Sequence, residues 1–319
     1  MKSLSQLTDF YYKKLYPDLQ ILEEERKKIK KRVINIGIIY LLFILLIAFF
    51  IYQKLSLEFL FFFGVFALAG FKWLYSYLIN DYNVDFKDKI IAPLIQEIDN
   101  NLHYSPQAHI PTAEFNRSKL FTTRPDRVSG NDYVQGSIDA IPVEFSDFHA
   151  EKKHKDSKGN ETWEKLFMGL FLISEFPKNF QGQTIILPDS AQKIFGDLVG
   201  NYLQSNNFSR NELVKMDNPE FEKEFVVYSS DQIEARYILT PALMQKLLRY
   251  KKKTKHPIYV SFIGGKIYLA IEYNNDMFEA SLFHSLLEYK IAMEYIKTLH
   301  LAIGIVEELK LNQKLWSKI

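Results

Sequence analysis

The feature that most constrains this chain is an apolar run of twenty residues, Val33 to Tyr52, which contains no charged side chain and only Asn35 as a strongly polar one. At about 1.5 Å rise per residue, a helix of this length spans the ~30 Å hydrocarbon core of a bilayer. The alternative, a buried core helix, would need a much larger soluble protein around it. The run therefore predicts a transmembrane helix.

A second apolar segment, Phe59 to Ile79, follows after a short linker. Its one charge, Lys72, is next to Trp73, and an ammonium there can reach the headgroups while aromatic rings occupy the interface. The two segments together predict a transmembrane helical hairpin over residues 33–79. Because the uninterrupted apolar part of the second segment, 59–71, is short, a re-entrant or interfacial segment is the alternative.

The segment before the hairpin, residues 1–32, carries a charge of +4, whereas the rest of the chain carries −2. An excess of Lys and Arg beside a span is retained in the cytoplasm, and two spans return residues 80–319 to the same side. We therefore expect both termini in the cytoplasm. These charges can also bind anionic lipid, or serve only to set the orientation. The basic side chains expected to face the membrane are Arg26, Lys27, Lys28, Lys30, Lys31 and Arg32.

Residues 80–319 predict a cytoplasmic α+β domain with a mostly antiparallel sheet. Short aromatic and β-branched runs alternate with turn signals, and Gly264-Gly265 between two of them predicts a tight hairpin. Asn218-Pro219 and Thr240-Pro241 predict helix starts, since each pairs an N-capping side chain with a first-turn proline. The predicted strands are 133–139, 141–148, 166–176, 183–187, 225–229, 257–263 and 266–272.

Helical periodicity flanks these strands on both sides. Residues 83–104 place apolar side chains on one face, and Pro93 inside the pattern predicts a break or a new first turn. Residues 282–316 contain no proline and repeat apolar side chains at alternating steps of four and three, which predicts a long C-terminal helix. Packing of this helix on the chain's own sheet explains the stripe as well as self-association does.

Sequence motifs of nucleotide, metal or nucleophile chemistry are absent. The chain has no GxGxxG, GxxxxGK[ST], HExxH or GxSxG, and with no cysteine it lacks thiol nucleophiles and thiolate ligands. The densest group of potential metal ligands comprises His149 and His154 with Asp147, Glu151 and Asp156. It lies in a charged segment that includes the predicted exposed loop 152–161, so solvated side chains are the simpler interpretation. We therefore predict no cofactor and no metal.

Two further groups are candidate sites. Asp231, Glu234 and Arg236 lie within one helical turn, so they form either an anion or partner site or a capped helix with an internal ion pair. A basic run contains Lys251, Lys252 and Lys253 near a predicted helix end, where the macrodipole favours cations. This run either contacts anionic headgroups or is a solvated turn. Because residues 33–319 carry a net −2 charge, we predict no nucleic-acid partner.

Three blocks of the chain resemble a bacterial membrane-protein family catalogued as domain of unknown function 3137. They cover residues 166–189, 216–248 and 261–282, and the most specific block contains FEKEFVVY at 221–228, EARY at 234–237 and LTP at 239–241. The resemblance implies a bacterial inner-membrane protein without an assigned activity, cofactor or catalytic residue. It also implies a LemA-type membrane protein as a possible partner.

Together these observations favour a non-enzymatic interaction or scaffold module anchored in the membrane by the hairpin. One alternative is a membrane-tethered enzyme acting on envelope components, which requires a pocket around Arg236. Another is a lipid-binding or small-ligand-binding protein with a cavity lined by Phe and Tyr. Self-association through residues 282–316 is a further expectation.

Overall fold

The computed structural model describes residues 3–54, 57–138, 140–155, 159–175, 181–189, 212–273, 278–290, 293 and 296–297. Over these residues the chain is α+β, as predicted. It divides into two compact units, of which one comprises residues 2–97 with 278–296 and the other residues 98–277. We call them the helical unit and the sheet unit. Residues 80–97 and 278–296, which the sequence grouped with the domain 80–319, are assigned to the helical unit.

Three helices form most of the helical unit. The first, α1 (Leu4–Lys13), starts at a capping box in which Ser3 Oγ accepts the Gln6 N–H and the Gln6 side chain accepts the Ser3 N–H. The second, α2 (Tyr16–Lys54), runs without a break through the basic segment and the predicted first span. The third, α3 (Leu57–Phe86), contains the predicted second span.

Both α2 and α3 are long and apolar enough to cross a membrane. Their apolar side chains point outwards, and Leu42, Phe66 and Leu68 are 61%, 75% and 74% exposed. Soluble monomers rarely expose contiguous apolar surface on this scale. The two helices contact each other at Tyr40, whose hydroxyl donates to Ala67 O at 2.9 Å.

A π-helical turn (Lys87–Ile91) separates α3 from α4 (Ala92–Ile98). The Ala92 N–H donates to Lys87 O, five residues earlier in the chain, as in a π-helix. Pro93 follows and has no N–H to donate, so the regular ladder is interrupted at this point. Pro93 therefore marks a new first turn, and the helix predicted over 83–104 ends at Ile98.

In its described residues, the sheet unit is built on one nine-stranded sheet. Its strands are β1 (His103–Ser105), β2 (Arg127–Ile138), β3 (Ile141–Lys155), β4 (Glu161–Glu175), β5 (Gln183–Pro188), β6 (Glu212–Val214), β7 (Phe225–Ser229), β8 (Ile258–Ile263) and β9 (Lys266–Glu272). They lie in the order β1-β2-β3-β4-β9-β8-β5-β7-β6, and all eight neighbouring pairs are antiparallel. The predicted antiparallel sheet is confirmed, with β1 and β6 as short additions outside the predicted strands.

Two hairpins show how local sequence determines the turns and strand lengths of the sheet. Gly264 and Gly265 join β8 to β9 with φ of 60° and 75°, a left-handed region that glycine enters without strain. The loop predicted at 152–161 is wrong at its beginning and at its end, because β3 continues to Lys155 and β4 begins at Glu161. Opposite charges face each other across these strand ends, as in the pair of Lys153 with Glu161, and such pairs stabilise an exposed ribbon.

Short helices cover the sheet. Phe115 of α5 (Thr112–Arg117) is buried and stacks on Phe148 of β3 at a centroid distance of 4.6 Å. Three further helices each start at a side-chain cap, supplied by Asn218, Asp231 and Thr240. These helices are α6 (Pro219–Glu224), α7 (Gln232–Ile238) and α8 (Pro241–Thr254).

The predicted C-terminal helix does not begin at Leu282. Residues 281–288 form bends and turns, and helical backbone starts at Tyr289. Ser281 Oγ accepts the His284 N–H at 3.0 Å, and local side-chain bonds of this kind compete with helix formation. Most of the predicted helix after residue 290 lies outside the described residues.

Candidate functional sites

Asp231 is the N-cap of α7. Its Oδ1 accepts the N–H groups of Ile233 at 2.8 Å and Glu234 at 3.0 Å, which satisfies two donors that a helix start leaves unpaired. Glu234 does not complete a capping box with Asp231, because its side chain binds other backbone N–H groups and not the Asp231 N–H. That N–H is instead donated to Ser229 Oγ.

Glu234 binds the backbone just before β5. Its two carboxylate oxygens accept the N–H groups of Gln181 and Gly182, both at 2.8 Å. These charge-assisted hydrogen bonds hold the backbone in place where the strand begins. Both carboxylate oxygens of Glu234 are thus used in contacts with the protein's own backbone. Glu234 therefore connects α7 to the start of β5.

Arg236 is exposed and contacts carbonyl oxygens rather than acids. Its guanidinium donates to Gln232 O at 3.2 Å and to Lys215 O at 3.1 Å. The three neighbouring residues therefore serve three separate backbone contacts, and the structure does not bring their functional groups to a common point.

Substitution separates these roles. We expect Glu234→Ala to lower the free energy of unfolding by about 1–3 kcal/mol, because two strand-entry N–H groups lose their acceptor. Arg236→Ala, on the same helix, is expected to change it by less than about 0.5 kcal/mol, as is usual for an exposed side chain. Urea unfolding of the full chain in detergent measures both. A larger loss for Arg236→Ala would show that Arg236 has a role beyond these two carbonyl contacts.

The basic run after α8 is partly neutralised by its surroundings. Lys252 forms an ion pair with Glu220 of α6, and this contact raises the pKa of the lysine above its ordinary value. Lys251 Nζ donates to His256 O at 3.2 Å, which helps to end α8. The Lys253 side chain lies outside the described residues. The ammonium groups of Lys251 and Lys252 thus both have partners within the sheet unit, so their positions do not require a membrane contact.

The basic side chains near the start of the apolar run divide into two kinds. Lys27, Lys28, Lys31 and Arg32 are exposed, whereas Lys30 is half-buried. Arg26 differs from all of them, because its side chain is only 8% exposed and binds Glu23 in a two-point ion pair with Nε and Nη2 at 2.8 and 2.7 Å. Arg26 is therefore not part of the exposed basic surface.

The Glu23–Arg26 pair binds the segment that follows the sheet unit in the chain. Arg26 Nη1 donates to Leu282 O at 2.7 Å, and Glu23 Oε2 accepts the Leu286 N–H at 3.2 Å. The hydroxyl of Tyr11 donates to Leu286 O at 3.2 Å. We call this arrangement the clasp. Its two hydrogen bonds between side chains and its three to backbone atoms join residues near the two ends of the described chain.

The clasp was not predicted, but a signal for it exists. Leu15, Leu19, Leu22 and Arg26 follow each other at steps of four, three and four, so Arg26 continues an apolar stripe. All three leucines are buried. A charged residue on such a stripe indicates a buried partner, which here is Glu23.

The described sheet unit also contains an open polar cleft of about 240 Å³, lined among others by Tyr133, Glu144 and Lys266. The Tyr133 hydroxyl donates to Glu144 Oε2 at 2.8 Å. Burial and this hydrogen bond to a carboxylate raise the pKa of Tyr133 above its ordinary value of 10.0. The phenol therefore stays protonated at neutral pH, as a hydrogen-bond donor rather than a base.

The histidines of the predicted ligand cluster separate in the structure. His154 pairs with Glu164 across the β3–β4 ribbon, while His149 Nε2 lies 3.8 Å from Glu151 Oε1. Asp147 is buried, and its negative charge adds to burial in raising the pKa of Tyr273 to about 12. Among the described residues, no three His, Asp or Glu side chains are grouped so that they could hold a metal ion. Asp156 lies outside these residues.

Comparison with known proteins confirms the resemblance found in the sequence. Residues 165–311 match the family described as "Protein of unknown function (DUF3137)". No curated protein matches the chain. Among solved structures, the mycobacterial trehalose monomycolate transport factor A, TtfA, is similar at 9% sequence identity and a TM-score of 0.35, over 65% of this chain and 88% of that one. At this level of similarity the transport role is a statement about TtfA alone.

Proposed function

We propose that this chain, whose residues 165–311 match the family of unknown function DUF3137, is a non-enzymatic interaction module anchored in the bacterial inner membrane. In this proposal α2 and α3 cross the bilayer as a hairpin. Both termini and the sheet unit lie in the cytoplasm. The sheet unit binds a partner protein and has no catalytic role.

The clasp is the observation that carries this proposal. Glu23 and Arg26 precede the apolar run of α2, whereas Leu282 and Leu286 follow both apolar helices in the chain. Residues in direct hydrogen-bond contact lie on the same side of a bilayer, so the chain between them crosses it an even number of times. Two apolar helices supply two crossings, which supports a hairpin.

Charge supports the orientation and the contact with lipid. The exposed side chains of Lys27, Lys28, Lys31 and Arg32 lie immediately before the apolar run. Positive charge beside a span favours the cytoplasmic side. Each such charge also contributes about 1 kcal/mol of binding free energy to the anionic inner leaflet when it lies near the membrane surface. In this proposal the exposed basic side chains and the clasp lie together at the cytoplasmic face.

A binding role is favoured because the candidate catalytic residues are committed to the fold. Asp231 caps α7, Glu234 holds the start of β5, and Arg236 binds backbone carbonyls. A catalytic role needs groups that converge on a substrate. The partner that we propose is a membrane protein, of the LemA type implied by the family resemblance, with self-association through residues 282–316 as the alternative.

Single cysteines test the topology cleanly, because the chain has none of its own. Tyr52→Cys, at the far end of α2, is expected to react with a membrane-impermeant maleimide added outside intact spheroplasts. Tyr289→Cys, beyond the clasp, is expected to react only after lysis. Both native side chains are well exposed, at 69% and 65%, so neither substitution disturbs a core. Reaction of Tyr289→Cys from outside would overturn the hairpin.

The binding role is tested in the same cells. A photo-crosslinking residue at Ile233, which is 82% exposed on α7, reports a partner at the sheet unit. We expect a defined cross-linked species that contains a second membrane protein or a second copy of the chain. The same residue at Phe66, in the lipid-facing part of α3, is the control for non-specific products. A full-length chain that stays a monomer in detergent and gives no species above the control would contradict the proposal.

A further inference from the structure

The turn that follows Leu282 presents an exposed aromatic side chain. Phe283 is 55% exposed, whereas its neighbours Leu282 and Leu286 are buried at 3% and 0%. Arg26 holds the Leu282 carbonyl and Glu23 holds the Leu286 N–H, so the loop is fixed at both ends. Ser281 Oγ accepts the His284 N–H and fixes the turn between them. The loop is therefore pre-organised with Phe283 at its outer side.

Contacts with α2 show where this loop lies relative to the start of the apolar run. The Lys30 ammonium lies 5.8 Å from the centre of the Phe283 ring. Lys30 precedes Val33, the start of the apolar run, by three residues, or about 4.5 Å along a helix. Ile34, one residue further, is already 44% exposed in the apolar surface. Phe283 thus lies at the level where the basic residues give way to apolar ones.

An electrostatic interaction with α3 indicates the same depth. The Glu279 carboxylate lies within electrostatic range of the Tyr75 hydroxyl of α3. Tyr75 lies between Trp73 and Tyr77, whose rings stack at 6.0 Å and are each 70% exposed. Tyr and Trp concentrate at the boundary between hydrocarbon and water. Residues 279–283 therefore follow this boundary across both helices.

We propose that the loop 281–285 is a third membrane contact, in which Phe283 inserts into the headgroup region beside Lys30. The occupant of this surface is the phospholipid headgroup layer. Lys30 binds a phosphate oxygen, and the Phe283 ring is buried among the upper acyl carbons. This inference rests on the proposed membrane insertion of α2 and α3, and it adds that the chain after the sheet unit touches the same bilayer.

A nitroxide on single cysteines tests this proposal in the full chain, reconstituted in vesicles of phosphatidylethanolamine and phosphatidylglycerol. The ratio of oxygen to nickel-chelate accessibility reports depth, because oxygen concentrates in lipid and the chelate in water. We expect a several-fold higher ratio at Phe283→Cys than at Tyr289→Cys. Tyr289 is the matched control on the same segment, since it lies beyond Leu286, which contacts Glu23 about 15 Å before the apolar run.

Phe66→Cys on α3 separates failure of this inference from failure of the proposed function. A lipid-like ratio at Phe66→Cys with a water-like ratio at Phe283→Cys would overturn the loop contact and leave the hairpin intact. Water-like ratios at both positions would overturn the membrane hairpin and the loop contact together. Because both native side chains are exposed, neither label needs to displace a core residue.

Discussion

Replacing Arg26 by alanine is expected to lower the free energy of unfolding of the helical unit by about 3–5 kcal/mol, the usual cost of breaking a buried ion pair. The side chains of Arg26 and Glu23 are only 8% and 6% exposed. After the substitution the Glu23 carboxylate is buried without its cation, and Leu282 O loses its donor. The segment 278–290 is therefore expected to detach from α2.

The next residue provides a matched control. Lys27 pairs with Glu24 at 2.7 Å with the same spacing and on the same helix, but both side chains are more than half exposed. Exposed pairs contribute about 0–1 kcal/mol, so Lys27→Ala is expected to have little effect. Hydrogen exchange of the full chain in detergent measures the difference at the amides of 278–290. Equal protection in the two variants would show that the clasp does not hold this segment.

The clasp also predicts a dependence on pH. Burial opposes ionisation of Glu23, but hydrogen bonds from Arg26 and from the Leu286 N–H outweigh it, so its pKa lies below the ordinary 4.5. A carboxylate whose pKa is lowered by folding stabilises the folded state above its unfolded pKa. Protection of 278–290 is therefore expected to be constant at neutral pH and to fall as the pH drops below about 4.5 towards the folded pKa. The Arg26→Ala variant should lack this dependence.

Local signals in the sequence predicted local structure well. Gly264-Gly265 marked a tight turn because two adjacent residues there take positive φ, and Asn218-Pro219 marked a helix start because its side chain caps the next turn. Each signal involves residues within a few positions of each other. The strand ends of β3 and β4 were missed because their charges suggested a solvated loop, whereas cross-strand pairing of those charges extends the ribbon.

Contacts between distant residues were not predictable in this way. The apolar repeat that includes Leu282 and Leu286 correctly indicated that these side chains are buried. Such a repeat does not show which residues cover it, and here Leu282 O binds Arg26, 256 residues away in the sequence. The candidate site around Arg236 illustrates the converse limit. Neighbours in sequence suggested a shared site, yet Asp231 and Glu234 each found a different backbone partner.

In the sheet unit, Phe115→Ala is expected to have the largest effect, a loss of about 3–5 kcal/mol in the free energy of unfolding. Phe115 is 2% exposed and brings α5 onto the sheet. Its ring lies 4.6 Å from Phe148, 5.1 Å from Phe121 and 5.3 Å from Phe171, measured between centroids. Alanine removes these contacts and leaves a cavity that neighbouring strands, fixed by hydrogen bonds on both sides, cannot close.

The adjacent residue Asn116 is the control for this substitution. It lies on the same short helix but is only partly buried, so Asn116→Ala is expected to change the free energy of unfolding by less than about 0.5 kcal/mol. Hydrogen exchange at the amides of β3 and β4 reports the effect where the ring packs. Exchange is expected to rise strongly in Phe115→Ala and to stay unchanged in Asn116→Ala. Comparable exchange in both variants would mean that the sheet is stabilised mainly from its other face, where Phe145 and Leu172 are fully buried.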